Sequence, residues 1–151
     1  MKARMNNPAM VLPGAVAALQ AVGATTEGTG LPASIVHLVH IRASQVNGCS
    51  VCLEMHSKEA LRDGDSVDRL LAVAAWRESP HFSDAERAAL ALTEAVTRIA
   101  DRPDAVPDDV WDDAADNFDE KQLAALILQI GLINVWNRLN ATVRQPAGQS
   151  W

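Results

Sequence analysis

Between Leu123 and Ile133 the chain is apolar on nearly every face of a helix. A helix of that kind is normally buried all round. A chain of 151 residues can hardly surround it unaided. The segment therefore calls for other helices packed against it, with a subunit interface supplying part of the cover. A central helix in a monomeric bundle is the plainer alternative. The helix is expected from about Glu120 to Val143, with Leu123, Leu126, Ile127, Ile130, Ile133, Trp136 and Leu139 as its buried stripe.

The rest of the chain falls into helices separated by short breaks, with little β-branched alternation. A first helix is expected over Val11–Val22 and a loop over Gly23–Gly30. Pro32 opens a second helix, Ala33 to about Gln45. Asn47-Gly48 signals a turn. A third helix starts near Cys49 and stops at Gly64, after about Arg62. Asp65 or Ser66 can cap a fourth through Val67, Leu70, Leu71 and Ala74. Ser83 to Glu86 forms a capping box ahead of a fifth, whose stripe is Ala85, Ala88, Ala89, Leu92, Ala95, Val96 and Ile99. Asp101 to Glu120 holds nine of the nineteen acids and is read as a loop plus a short helix. Val106, Val110, Trp111 and Phe118 are expected to face inward there, and the tail after Gln145 to be loose. The length suits one domain, residues 1–151, in an all-α fold of about six to seven helices.

Charge narrows the partners. Net charge is −6, which argues against nucleic acid or an anionic membrane surface, since both attract basic patches. No apolar run is long enough to span a bilayer, and Met1 to Ala9 lacks the apolar core of a signal peptide. A cytoplasmic location is expected. There, paired cysteines are more often catalytic, redox-active or metal-binding than structural. A disulfide between the chain's two cysteines, Cys49 and Cys52, would close a tiny loop and add little stability. Any importance of the pair lies in its chemistry.

Cys49, Cys52 and His56 are spaced by three and then four residues. On a helix these spacings bring both thiols and the imidazole to one face. The Asn47-Gly48 turn sets the cysteines at a helix N-terminus, where the macrodipole favours negative charge. His56 can take a thiol proton or stand beside the thiolate as a cation. A thiolate attacks an O–O bond and becomes a sulfenic acid, and a neighbouring thiol condenses with it to a disulfide. Cys52, one turn from His56, is assigned attack and Cys49 resolution; the reverse order stays open. A zinc site built from both thiols, His56 and either His37 or His40 is a second reading. His37 and His40 share a face of the preceding helix and are candidates for a second proton carrier. Glu54 reads as a solvated or ion-paired residue, and His81 as structural. Arg42 and Arg138 offer an anion clamp, with salt bridges as the plainer alternative.

The string Arg42-Ala-Ser44-Gln45-Val-Asn47-Gly48-Cys49-x-x-Cys52-x-x-x-His56 resembles the AhpD-like alkylhydroperoxidases of the carboxymuconolactone decarboxylase family. Three further stretches are similar: Trp76-Arg77-Glu78, Phe82 to Leu90, and Ile133 to Asn140. The resemblance covers roughly 31–144. It implies an AhpD-like helical bundle assembled into a homo-oligomer, a trimer or hexamer. It implies reduction of an alkyl hydroperoxide or hydrogen peroxide through a CxxC dithiol/disulfide cycle, without metal or cofactor. Electrons would come from a thiol or lipoyl-bearing protein. The implied catalytic set is Cys52, Cys49, His56 and, by position, His37. Many members carry Glu twelve residues before the first cysteine, where this chain has His37, an imidazole that titrates near neutrality. Position 51 is Val where some relatives have His. A redox sensor and a carboxymuconolactone-type decarboxylase are the other readings. The decarboxylase branch works without this cysteine pair.

Overall fold

A computed structural model describes residues 2–148. Its α-helices are α1 (Pro8–Val11), α2 (Ala15–Ala24), α3 (Ala33–Asn47), α4 (Ser50–Arg62), α5 (Val67–Ala72), α6 (Asp84–Thr97), α7 (Asp108–Asn117) and α8 (Glu120–Val143). Two 3-10 helices, Val73–Glu78 and Ile99–Asp101, follow α5 and α6. No strand occurs among the described residues, so the all-α expectation holds. Eight α-helices stand where seven were expected, because the first splits. Pro13 cannot continue a helix, and Gly14 takes a left-handed conformation with φ of 82°.

The hub is α3, which packs against α4, α6 and α8. One face, Ile35 and Val39, joins Ala88, Leu92, Leu126 and Ile130 in a first core. The other, Leu38 and Ile41, meets Ala60, Val73, Trp76 and Leu90 in a second. Each fully buried Leu or Ile contributes about 1.5–3 kcal/mol. A third, smaller cluster closes the end of the bundle. It contains Ala43, Cys49, Val51, Cys52 and Ile133, with Trp136 packed against it. The cysteines are thus part of the packing between α3, α4 and α8.

Three packing expectations are corrected. Ile99 does not continue the α6 stripe: the α-helix ends at Thr97, the chain tightens into a 3-10 turn, and Ile99 is exposed. Trp111 is 44% exposed, because the inward face of α7 is taken by Val110 and Ala114, followed by Phe118, at i, i+4 and i+8. Ile127 points outward with Leu128 and Val135. Together with α2, which packs on α8 yet has no fully buried residue, they leave apolar side chains uncovered in the single chain. The tail expected to be loose lies partly outside the described residues. No helix among the described residues is long and apolar enough to cross a membrane.

Candidate active site at the cysteine turn

The turn between α3 and α4 is set by backbone chemistry. Gly48 has φ of 67° and ψ of 30°, and its N–H returns to Gln45 and Ser44 carbonyls. The Cys49 N–H also donates to the Ser44 carbonyl, at 2.9 Å. This is a glycine C-cap, and a side chain at position 48 would be strained there. Cys49 becomes the N-cap of α4. Cys52 and His56 follow on the buried face of that helix.

A ladder of asparagines on α8 holds the turn. Asn47 donates through Nδ2 to the Oδ1 atoms of Asn134 and Asn137, both at 2.9 Å. Asn137 donates to Ser44 Oγ at 3.1 Å. Asn140 donates to Cys52 Sγ at 3.3 Å and accepts from Asn7 at 2.8 Å. Residues 134, 137 and 140 recur every three positions, so one face of an otherwise apolar helix carries three amides. That pattern was available in the sequence and signals a partner for them, but reading the helix only for its apolar stripe misses it.

Both cysteines are free and buried, with Cys52 only 1% exposed. The Cys49 thiol is drawn down to about 6, foremost by a hydrogen bond from Cys52. Burial opposes this, while the N–H groups of Cys52 and Val51 and the amide of Asn140 assist. Cys52 is pushed up by the same bond, by burial and by the charge of Cys49, against the amides of Asn140 and Asn137. The pair therefore gives up one proton readily and the second with difficulty, and the charge belongs to both sulfurs.

His56 directs Nδ1 at Glu59 Oε2, 2.8 Å away. The His56 bond holds the Glu59 carboxyl below the ordinary carboxylate range. An ionised carboxylate only accepts, so the Nδ1 proton sits on His56 and Nε2 is the free atom. Behind it, the His40 ring lies 4.4 Å from the His56 ring, centroid to centroid, at 53°. His40 Nε2 donates to Gln129 Oε1 at 2.9 Å, and Gln129 Nε2 donates to Thr26 Oγ1 at 2.6 Å. Burial, then the neighbouring His56, lowers His40 to about 3, so it is a neutral ring.

A cavity of about 280 Å³ ends on this constellation. Cys52, His56, His40 and Asn140 line one side, and Met10, Met55, Leu132 and Trp136 are among its apolar walls. Cys49 does not line it. His37 lies elsewhere, in a second cavity with Asp63, Arg69 and Glu86. Its Nε2 meets Asp63 Oδ2 at 2.9 Å, and its Nδ1 is buried without a partner. The residues brought together are thus Cys49, Cys52, His56 and His40, with Glu59, Asn140 and Gln129 added by the fold. Glu54 pairs with Lys58. Among the described residues, no three His, Cys, Asp or Glu side chains are gathered as a metal site.

An all-helical bundle with a dithiol at a helix start and a buried imidazole beside it defines a recognisable class. The family model for carboxymuconolactone decarboxylases matches residues 13–95, and the chain belongs to that family. The uncharacterised protein YdfG of Bacillus subtilis is 37% identical over 110 residues, which cover 73% of this chain and 74% of YdfG. The uncharacterised protein YnjA of Escherichia coli is 39% identical over 110 residues; these span 73% of this chain but only 59% of YnjA. A crystal structure from Agrobacterium tumefaciens, of a protein of unknown function proposed to be the antioxidant defence protein AhpD, superposes with a TM-score of 0.89. That match has 35% identity and covers 99% of this chain and all of the other. The debrominase Bmp8 shares the fold, with TM-score 0.75, 20% identity, and coverage of 89% of this chain and 72% of its own. The fold is AhpD-like.

Proposed function

We propose that the chain is a thiol peroxidase that reduces organic hydroperoxides, with hydrogen peroxide as a smaller alternative substrate. The observation that carries this reading is the apolar cavity ending on Cys52, beside His56 and with the acidified Cys49 behind it.

In the proposed cycle, His56 Nε2 first takes the one proton that the cysteine pair gives up readily, and the Cys49 thiolate takes the Cys52 proton along the hydrogen bond joining them. Cys52 is left as the thiolate at the cavity floor, steadied by the Asn140 amide. Its sulfur attacks the terminal oxygen of the hydroperoxide. The S–O bond forms, the O–O bond breaks, and the departing alkoxide takes a proton from His56 Nε2 to leave as the alcohol. His56 then accepts the Cys49 proton. Cys49 attacks the sulfenic sulfur, and hydroxide leaves as water with the proton returned by His56. A spacing of three residues across the first turn of α4 suits the roughly 4.4–6.8 Å between Cα atoms that a disulfide needs. A thiol or lipoyl-bearing protein restores the dithiol. Assembly into a homo-oligomer would cover the apolar face of α2 and α8.

His37 holds the position of the relay glutamate of many relatives. Its Asp63 pair places it outside the thiol cavity, so His40, stacked on His56, is the nearer second imidazole. The Bmp8 fold carries debromination, and an apolar cavity next to a thiolate would also suit a halogenated aromatic ring. Bromide release from a bromopyrrole is the control for that second reading.

The test is consumption of cumene hydroperoxide by the reduced protein, with thiols counted before and after. Loss of two thiols per chain with one equivalent of peroxide, abolished in Cys52→Ser, is expected. In Cys49→Ser, one turnover should stop at a trappable sulfenic acid. Thiols that stay reduced while the peroxide persists would overturn the reading.

A further inference from the structure

On the far side of the cysteine turn lies a polar cavity of about 530 Å³, walled by α3, α8 and the end of α6. Arg42, Arg98 and Arg138 converge on it from these three elements, and Gln45, Asn47, Thr97 and Asp101 also stand in its wall. In a chain of net charge −6, three guanidiniums around one hollow need an explanation.

Internal pairing accounts for only one of them. Arg42 spends Nε and one terminal nitrogen on Glu94 and the other on Gln45, so it is a fixed part of the wall. Arg138 meets no carboxylate among the described residues. It donates only through one terminal nitrogen, to the Asn134 carbonyl and side-chain oxygen, at 3.1 and 2.7 Å. Its other nitrogens remain available. Arg98 reaches Asp101 at 3.5 Å, with both side chains at least half exposed, which is a weak pair. Thr97 adds a donor of another kind. Only 6% exposed, its hydroxyl accepts from Asn134 Nδ2 at 3.0 Å, and its own hydrogen has no acceptor among the described residues. Two underused guanidinium forks and one spare hydroxyl donor thus outnumber the one carboxylate in the wall, Asp101, which is turned to Arg98.

We infer that this cavity binds a small oxyanion, the carboxylate or phosphate group of a polar metabolite, with Arg138 and Arg98 as its forks and Thr97 as a third donor. Guanidinium planes match both groups in two-point geometry. The site is separate from the thiol cavity and stands independently of peroxidase activity. Asn47 lies in its wall and also pins the cysteine turn, so a bound anion sits directly behind that turn.

The test is calorimetric and NMR titration of the reduced full chain with inorganic phosphate and, separately, with malonate. Sodium chloride of matched ionic strength serves as the control. Saturable binding of either anion is expected, with amide shifts at Asn47, Thr97 and Arg138, and weakening as salt rises. Tighter phosphate binding would assign a phosphorylated ligand, and tighter malonate binding a dicarboxylate. Arg138→Gln should cost about tenfold or more in affinity. Arg98→Gln should cost less, because Arg98 already shares its charge with Asp101. Both substitutions lie on the surface, and unchanged helical circular dichroism verifies folding. Absence of saturable binding, or binding that survives both substitutions, would overturn the inference.

Discussion

Two buried polar groups flank α3, and they are furnished in opposite ways. Glu94 receives hydrogen bonds from Arg42, Arg77 and Trp76, each at 2.8 Å. Burial alone would raise its carboxyl, but the three donors outweigh that and hold it below the ordinary range. The dithiol just beyond the C-terminal end of α3 has only the amides of Asn140 and Asn137 as side-chain donors from outside the pair, and an imidazole face open to a cavity. A buried charge saturated with donors is fixed in one state and belongs to the scaffold. A buried nucleophile left short of donors can change state, and the empty space beside it admits a reactant. The difference separates framework from chemistry within one helix layer.

The largest effect expected from this contrast is at the saturated group, Glu94. Glu94→Ala would strand two guanidiniums and an indole N–H. Arg77 is partly exposed, so the loss should be about 3 kcal/mol of unfolding free energy. Urea unfolding monitored by circular dichroism measures it. The alkylation rate of the thiols in the folded variant should stay unchanged. A variant as stable as the parent, or one with altered thiol reactivity, would mean that the two groups are not separate in this way.

The next effect is smaller and depends on pH. His40 has a folded pKa of about 3 against an ordinary 6.5. Between those values the unfolded chain binds a proton that the folded chain refuses. Stability is therefore full above about pH 6.5 and falls as the solution is acidified, by up to about 1.4 kcal/mol per pH unit. His40→Gln removes the titrating ring, so its stability between pH 6 and 5 should fall less steeply by roughly 1 kcal/mol. Parallel slopes would show that His40 is charged when folded, which would undo the picture of a neutral ring behind His56.

The sequence reads well where periodicity and local chemistry act alone. The capping box at Ser83 and the α8 boundaries at Glu120 and Val143 came from spacing, and the structure has them. The juxtaposition of Cys49, Cys52 and His56 followed from helical geometry. Three things did not. Trp111 and Ile127 look like core by composition, yet which side of an apolar helix is covered depends on neighbours distant in sequence. His37 and His40 share a face, and only the packing of α3 on α4 sends His40 to His56 and His37 to Asp63. Glu94 sits on the apolar α6, where its three donors come from residues 42, 76 and 77. No local pattern announces such a convergence.

The smallest effect belongs to Glu59, which sharpens the contrast because it is the one carboxylate committed to the site. It bonds His56 Nδ1 at 2.8 Å and is about one-third exposed. In the proposed cycle it is a positioning residue, whose task is to hold the His56 ring through Nδ1. A pair so exposed is worth about 1 kcal/mol, so Glu59→Gln should slow peroxide reduction roughly fivefold. The neutral amide still accepts from Nδ1 and keeps the ring in place. The loss should therefore stay modest in the measured rate of peroxide reduction. Glu59→Ala releases the ring as well, and its rate should fall below that of Glu59→Gln. If the two variants are slowed equally, the bond to Nδ1 contributes nothing to the rate and the positioning role of Glu59 falls.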